Sequence, residues 1–435
     1  MPELSEQISA YAQKDPVRFH VPGHKGAFDP LDVTELFFTD NLYAPDESLR
    51  LISGLERRAA RIFFGRDDIG TSISCGGATL CIQAALLAAL RRANGGAKYI
   101  ICARDCHVSL VNALALLDIE PLWVYPGENF EHIFAHNAGK NIIAAFVTSP
   151  DYYGNMRDIS ALAQVCKKYG APLIADNSHG SHLAFYKNMH PINCGADISV
   201  DSVHKTLPAL TGAALAHASP RYDMRGAMQV FASTSPSFLI LQSIERMLDI
   251  LEYVGVSEHS RLLMHIAALR SIAPEYFPPG NNLTDPFRLI LNCKGLGEGL
   301  YYFLFARGIA CEFYEPDRVI IVPSIFNKAG DFAQLAEALL DFARGNKIAR
   351  AAGNYKFARP KRAMSLSDAV KSPRRLIELC KGDRSRPPAL GAVCAEPIFA
   401  YPPGMPVILP GEIIDAQALA LARSLRASLY IIETP

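Results

Sequence analysis

The sequence predicts an α/β protein with a mainly parallel sheet, followed by a smaller α+β C-terminal region. Two observations carry this. From Asp67 to His217, short apolar runs of strand length alternate with amphipathic stretches of helix length, the pattern of a parallel sheet covered on both faces. Beyond residue 240 the alternation gives way to one long helical stretch and then mixed strands and helices. Half of the 435 residues are apolar and a fifth are charged, so a large core can be buried and wholesale disorder is excluded.

The elements can be justified in order. Residues 1–65 form an N-terminal arm: FHVPGHKGAFDP has too many Gly, Pro and His to be regular, and an amphipathic pattern follows from Glu47 to Phe64. Residues 66–245 form the large domain. SISCGGAT is a Gly-rich turn, LCIQAALLAALRRA a helix and AKYIICA a strand. PLWVY and IIAAFVTS are further strands, DISALAQVCKKYG is a helix closed by Gly170, and APLIAD, ADISVDS and TGAALAHA complete the series. Residues 246–435 form the C-terminal region, entered by the long helix SFLILQSIERMLDILEYVG. There FRLILNC and RVIIVPS flank a helix near Leu300, and DFAQLAEALLDFARG is a helix. Lys356 to Pro388 is basic and Pro-bearing and is expected to be a surface excursion, before a Pro-rich turn and a closing helix.

Composition narrows the function classes. Lys plus Arg and Asp plus Glu both total 43, which argues against a nucleic-acid coat or an acidic-lipid binder. The polar start MPELSEQISAYAQKD is unlike an export signal, and the longest greasy stretch, Leu80 to Leu90, is too short to span a bilayer. The 10 cysteines form no CxxC pair, so they read as reduced thiols of a cytoplasmic protein. Cys102 and Cys106 beside His107 lack a second ligand pair with zinc spacing, so no metal is expected.

Ligands of an open parallel sheet bind beyond the carboxyl ends of its strands. Gly76-Gly77-Ala78-Thr79 stands there before a helix, a backbone cradle for phosphate. His107 follows one strand, Asp151-Tyr152-Tyr153 another, Asp176 with His179 a third, and Ser202-Val203-His204-Lys205 a fourth. Singly, each has an ordinary reading as cap, surface or loop residue. Together they match what pyridoxal phosphate requires. Lys205 offers an amine for a Schiff base, and Asp176 a carboxylate for the pyridine nitrogen. His107 offers a flat ring to stack. Ala78, Thr79, Ser202 and His204 offer phosphate donors.

These segments resemble the Orn/Lys/Arg decarboxylases of the fold-type I (aspartate aminotransferase-like) pyridoxal-phosphate superfamily, in their short bacterial form. The likeness rests on FHVPGHKG at 19–26, RDCHVSLVNAL at 104–114, TSPDYYG at 148–154, LIADNSHGSHL at 173–183, GADISVDSVHKTLPALT at 195–211, STSPSF at 233–238 and AEPIFAYPPGMPVILPGE at 395–412. The resemblance implies decarboxylation of lysine, ornithine or arginine to its amine. It implies that Lys205 carries the cofactor and shuttles protons, that Asp176 pairs with the ring nitrogen, that His107 stacks on the ring, and that His179 lies against its opposite side or near the phenolic oxygen. It further implies a homodimer in which Thr234 reaches the partner's site. Two positions depart from the family pattern: Ala78 replaces a hydroxyl residue, and Asn177 stands where relatives often have Glu.

A basic substrate side chain needs an acidic end to its pocket, for which Glu396, Asp151 and Glu312 are candidates, with Tyr152, Tyr153 and Tyr401 as walls and His20 and His24 as closing groups. Two other readings stay open. One is another fold-type I enzyme, such as an aminotransferase, aldolase or lyase, for which Arg288 would bind the α-carboxylate. The other is a cofactor-binding regulator with little turnover.

Overall fold

The computed structural model describes residues 17–19, 25, 51–66, 68–93, 95–186, 189–234, 236–277, 283–349, 359–379, 389–400 and 404–433. A short strand, β1 (Val17–Phe19), precedes the central sheet. The sheet has seven strands: β2 (Gly70–Ser74), β3 (Tyr99–Ala103), β4 (Glu120–Val124), β5 (Ile142–Thr148), β6 (Leu173–Asp176), β7 (Ile198–Asp201) and β8 (Ala214–Ala218). Their spatial order is β2-β8-β7-β6-β5-β3-β4. Pairs β7–β6, β6–β5, β5–β3 and β3–β4 are parallel, and β8 runs against both of its neighbours. The expected mainly parallel sheet is therefore present.

Alternation along the strands feeds different cores. Ile100, Ile174, Ile198 and Val200 pack with the helix Gly77–Arg92, and Ile101, Leu173 and Ala175 with the helix Ile159–Lys168. At the β8 side, Leu215 packs with Phe63 of the helix Leu51–Phe64 and with Leu248 of the long helix. Strands with both faces buried read as continuous apolar runs, which is why the sequence showed them.

The long helix, Phe238–Ile272, extends well past the predicted stretch and runs through residue 245. Its second half packs in a separate core with β9 (Leu289–Asn292), β10 (Ile309–Cys311), β11 (Phe313–Glu315) and β12 (Arg318–Ile321). Strand β1 pairs in parallel with β10 and buries Phe19 completely, so part of the arm expected to be irregular belongs to this core. The surface excursion expected from Lys356 to Pro388 is corrected by the structure over its described residues, 359–379. It holds a helix, Leu366–Lys371, and β13 (Arg374–Glu378), which pairs with the final strand Ser428–Ile432. Leu366 and Ile377 are buried there. Its described basic residues, such as Lys371, Arg374 and Arg375, are exposed and hid the short apolar pattern between them.

Candidate functional site

The strand ends converge as expected. β6 ends on Asp176, and β7 ends on Asp201 and passes through Ser202 into a single helical turn, Val203–Thr206, that carries Lys205. Lys205 Nζ lies 3.1 Å from His179 Nε2. Asp176 is buried, and its Oδ1 accepts from the Ser178 hydroxyl at 2.5 Å and the Ser178 amide at 3.1 Å. Its Oδ2 has no hydrogen bond among the described residues.

Electrostatics tie these groups together. Burial lowers the Lys205 amine, assisted by the Arg288 cation and opposed by Asp176 and Glu312. Burial also holds His179 well below its usual value, reinforced by Lys205 and Arg288, so its ring is neutral. His107 is lowered by burial, with Asp176 opposing and Lys205 reinforcing. An amine whose proton is loosened by burial, beside a neutral imidazole and a buried carboxylate, suits carbonyl chemistry at the amine.

His107 is the N-cap of the helix Val108–Leu116, and its Nδ1 accepts from the Ser109 amide at 3.2 Å, so the ordinary cap reading also holds. The residue as a whole is nevertheless solvent-accessible. At the Gly-rich turn, Gly77 has φ +69°, a conformation costly for a residue with Cβ. The helix it opens has no side-chain cap, which leaves the amides after Gly77 available for an anion. The Gly77 amide bonds Gly212 O, and His204 Nδ1 bonds Ala213 O, so the Gly-rich turn and the turn that carries Lys205 both meet the entry to β8. Thr79 is exposed and Ser202 is buried.

Near Lys205 and His179 stand Tyr152, together with Arg288 and Glu312 of the C-terminal region and Lys25 of the arm. Tyr152 packs edge-on against His179 at 5.4 Å and donates its hydroxyl to Glu312 Oε1 at 3.2 Å. Arg288 is buried, with Nη2 3.4 Å from His179 Nδ1 and Nη1 unpartnered. Lys25, the lysine of PGHK, donates to Val322 O at 2.9 Å; burial lowers its amine to about 7, with Glu312 opposing and Arg288 reinforcing. Sequence reasoning weighed His20 and His24 in that motif and missed Lys25. His20, His24 and Tyr401 lie outside the described residues.

Several candidates are engaged elsewhere. Asp151 closes its own loop, accepting from the Tyr153 and Asn155 amides. Glu396 accepts from the Tyr430 amide at 2.8 Å and from Arg426 at 3.1 Å, which makes it a brace of the tail. Tyr153 donates to Glu315. Thr234 is exposed between the helices Met224–Phe231 and Phe238–Ile272. Cys102 and Cys106 are buried, and burial pushes the Cys106 thiol up to about 12, so neither offers a ready thiolate.

One support was legible only in retrospect. Arg104, at the end of β3, makes a two-pronged bond to Glu412 at 2.6 and 2.8 Å, and the pair is buried. Glu412 closes the PGE end of the tail block. Gly411 beside it has φ +85°, and a Cβ there would meet Met364 O at 2.6 Å. The tail block therefore braces the loop that carries His107.

The family profile described as Orn/Lys/Arg decarboxylase, major domain, matches residues 2–272. The chain belongs to the Orn/Lys/Arg decarboxylase family. It is similar to the uncharacterized protein YaaO of Bacillus subtilis, 26% identical over 96% of this chain and 92% of that one. It is similar to the arginine decarboxylase of Bacillus subtilis, 23% identical over 98% and 94%. Among solved structures, the constitutive lysine decarboxylase of E. coli aligns with a TM-score of 0.69 and 18% identity, over 87% of this chain and 72% of that one. The fold is that of fold-type I enzymes, and the chain is a pyridoxal-phosphate-dependent amino acid decarboxylase. No helix among the described residues is long and apolar enough to cross a membrane.

Proposed function

We propose that this decarboxylase acts on a basic amino acid, lysine, ornithine or arginine, and releases CO2 and the corresponding amine from a site built on Lys205. The observation that carries the reading is the single cluster of Lys205, His179 and Asp176 facing Glu312, Tyr152 and Arg288. The residues fit pyridoxal phosphate. Lys205 would attach it, Asp176 Oδ2 would take the ring N–H, and His107 would cover a ring face. The uncapped helix start with Ala78 and Thr79, together with Ser202 and His204, would hold the phosphate. When bound, the cofactor supplies an electron sink at the substrate α-carbon.

The chain's own groups do the rest. Glu312 takes the distal cation of the substrate, with Tyr152 holding its carboxylate in place and walling the methylene chain. This role passes to Glu312 from Glu396, whose carboxylate is bound in the tail. Lys205 Nζ, relayed by His179 Nε2, returns one proton to Cα after CO2 leaves. His24 closing over the pocket, Thr234 reaching the partner's site and a cytoplasmic homodimer belong to the same proposal. So does the division into 1–65, 66–245 and 246–435. A stripe of exposed Tyr253, Val256 and Met264 along the long helix supports self-association.

Arg288 favours a second reading. A buried guanidinium with an unpartnered Nη1 is what an aminotransferase presents to an α-carboxylate. Product analysis separates the two. Purified protein with pyridoxal phosphate is offered lysine, ornithine and arginine, and CO2, amine and 2-oxo acid are measured, with Lys205→Ala as control. Amine and CO2 from one substrate support decarboxylation. A 2-oxo acid without CO2 moves the assignment to transamination. Neither product, with cofactor bound, leaves the low-turnover regulator.

A further inference from the structure

Behind the site, on the opposite face of the sheet, lies a buried polar network with Asp201 at its centre. Asp201 Oδ1 and Oδ2 each accept from Asn177 Nδ2 at 3.0 Å. Oδ1 also accepts from the Ser199 hydroxyl at 2.9 Å, and Oδ2 from His190 Nε2 at 3.1 Å. His217 Nδ1 bonds the Thr71 hydroxyl at 2.8 Å, and its Nε2 lies 4.0 Å from Asp201. Asn177, His190, Asp201 and His217 are all fully buried. The ligand atoms of His190, Asp201 and His217 lie within 4.8 Å of one another, close enough to suggest a cation. The hydrogen bonds argue otherwise. His190 Nδ1 accepts from the Ile192 amide at 3.2 Å, so Nε2 carries a proton and donates it to Asp201, where a metal would need a lone pair.

The connectivity gives the network a different use. Asn177 directly follows Asp176, and Asp201 lies four residues before Lys205. Side chains alternate across a strand, so Asp176 and Ser178 face the site while Asn177 faces Asp201. The Asn177 amide N–H also bonds Val200 O, tying the two strand ends by backbone as well. One carboxylate thus joins the strand end carrying the ring-nitrogen partner to the strand end carrying the amine. Pyridoxal phosphate is rigid, so the separation of those two groups must match it.

We infer that the Asn177–Asp201 pair is a positioning clamp that fixes Asp176 relative to Lys205, and that the site admits a single buried carboxylate shared between positions 177 and 201. The inference rests on the proposed cofactor reading. It accounts for Asn177: with Asp201 in place, a second carboxylate 3.0 Å away would be repelled in a buried setting. Asp201 itself stays ionised. Burial opposes this, but His190 beside it and the donors from His190 and Asn177 outweigh burial and hold it below the usual carboxylate range.

The test is an isosteric exchange. Asn177→Asp, Asp201→Asn and the double variant are compared with wild type for pyridoxal phosphate dissociation constant, the pH titration of the bound cofactor's visible absorption, and thermal unfolding without cofactor. Asn177→Asp weakens cofactor binding by about tenfold or more, the scale of a lost hydrogen bond to a charged group, and shifts the absorption titration. The double variant reverses the hydrogen bond and returns both quantities to within about threefold of wild type. A merely structural role moves only the unfolding temperature. Should Asn177→Asp not fold, Asn177→Ala removes the donor while leaving Asp201 its Ser199 and His190 bonds. Wild-type dissociation constants and titrations in the single variants, or a double variant as weak as Asn177→Asp, overturn the clamp. A wild type that never attaches the cofactor at Lys205 overturns the cofactor reading, and the clamp with it.

Discussion

Replacing Glu412 by Gln leaves the Arg104 guanidinium buried without a counter-charge. The pair is bidentate at 2.6 and 2.8 Å, with Arg104 side-chain exposure of 0% and Glu412 of 5%. At such distances the gross attraction is about 6 kcal/mol for an effective dielectric constant of about 20. Much of it offsets the desolvation of both ions, so the intact pair contributes little net stability. Breaking it is different: the stranded cation keeps its desolvation penalty and loses its partner, which costs about 3–5 kcal/mol. For a chain of this length that lowers the melting temperature by about 3–6 °C. Urea unfolding at neutral pH, with and without pyridoxal phosphate, measures it. Arg104→Met with Glu412→Leu removes both charges and recovers most of the loss. Because His107 lies three residues beyond Arg104, Glu412→Gln also weakens cofactor retention. A loss below about 1 kcal/mol for Glu412→Gln refutes the reasoning, since surface pairs already reach that value.

Three further outcomes are expected. Glu312→Gln raises the KM for the basic substrate by about tenfold or more while a neutral amino acid of similar length is unaffected; an equal change for both substrates shows that Glu312 does not meet the distal cation. Attachment of pyridoxal phosphate to apo-protein quickens with rising pH and levels off below the ordinary lysine value of about 10.4, because burial lowers the Lys205 amine and only the neutral amine attacks; a rate still climbing at that pH contradicts this. Burial holds His217 at about 3 and His259 at about 4, below the unfolded value of about 6.5, so each contributes stability that is present above pH 6.5 and lost as pH falls towards its folded value. At pH 5 each removes about 2 kcal/mol, visible in urea midpoints; midpoints unchanged between pH 7 and 5 exclude it.

The sheet strands were legible because burial on both faces writes itself as uninterrupted apolar runs such as IIAAFV and LIAD. Lys205, Asp176, His107 and the Gly76-Gly77 turn were legible for a related reason. A doubly wound sheet brings its strand ends to one edge, so residues that follow strands must meet. Strand β1 and the segment 366–378 were hidden, since a three-residue strand or a short helix among basic residues has too few positions to show a period. Lys25, Glu312 and Arg288 reach the site from outside the alternating region, and local pattern gives no distance between segments that far apart in the chain.

By itself the sequence determined which residues follow the strand ends and the family to which the chain belongs, because strand periodicity and short motifs are local properties. The tertiary structure decided which acid stands near the amine. It placed Glu312 there and turned Glu396 into the tail. It also decided that Asn177 answers to Asp201 across 24 residues of chain, and that Arg104 answers to Glu412 across 308. A charge's role depends on what else is buried within a few ångströms of it, and that neighbourhood exists only once the chain has folded.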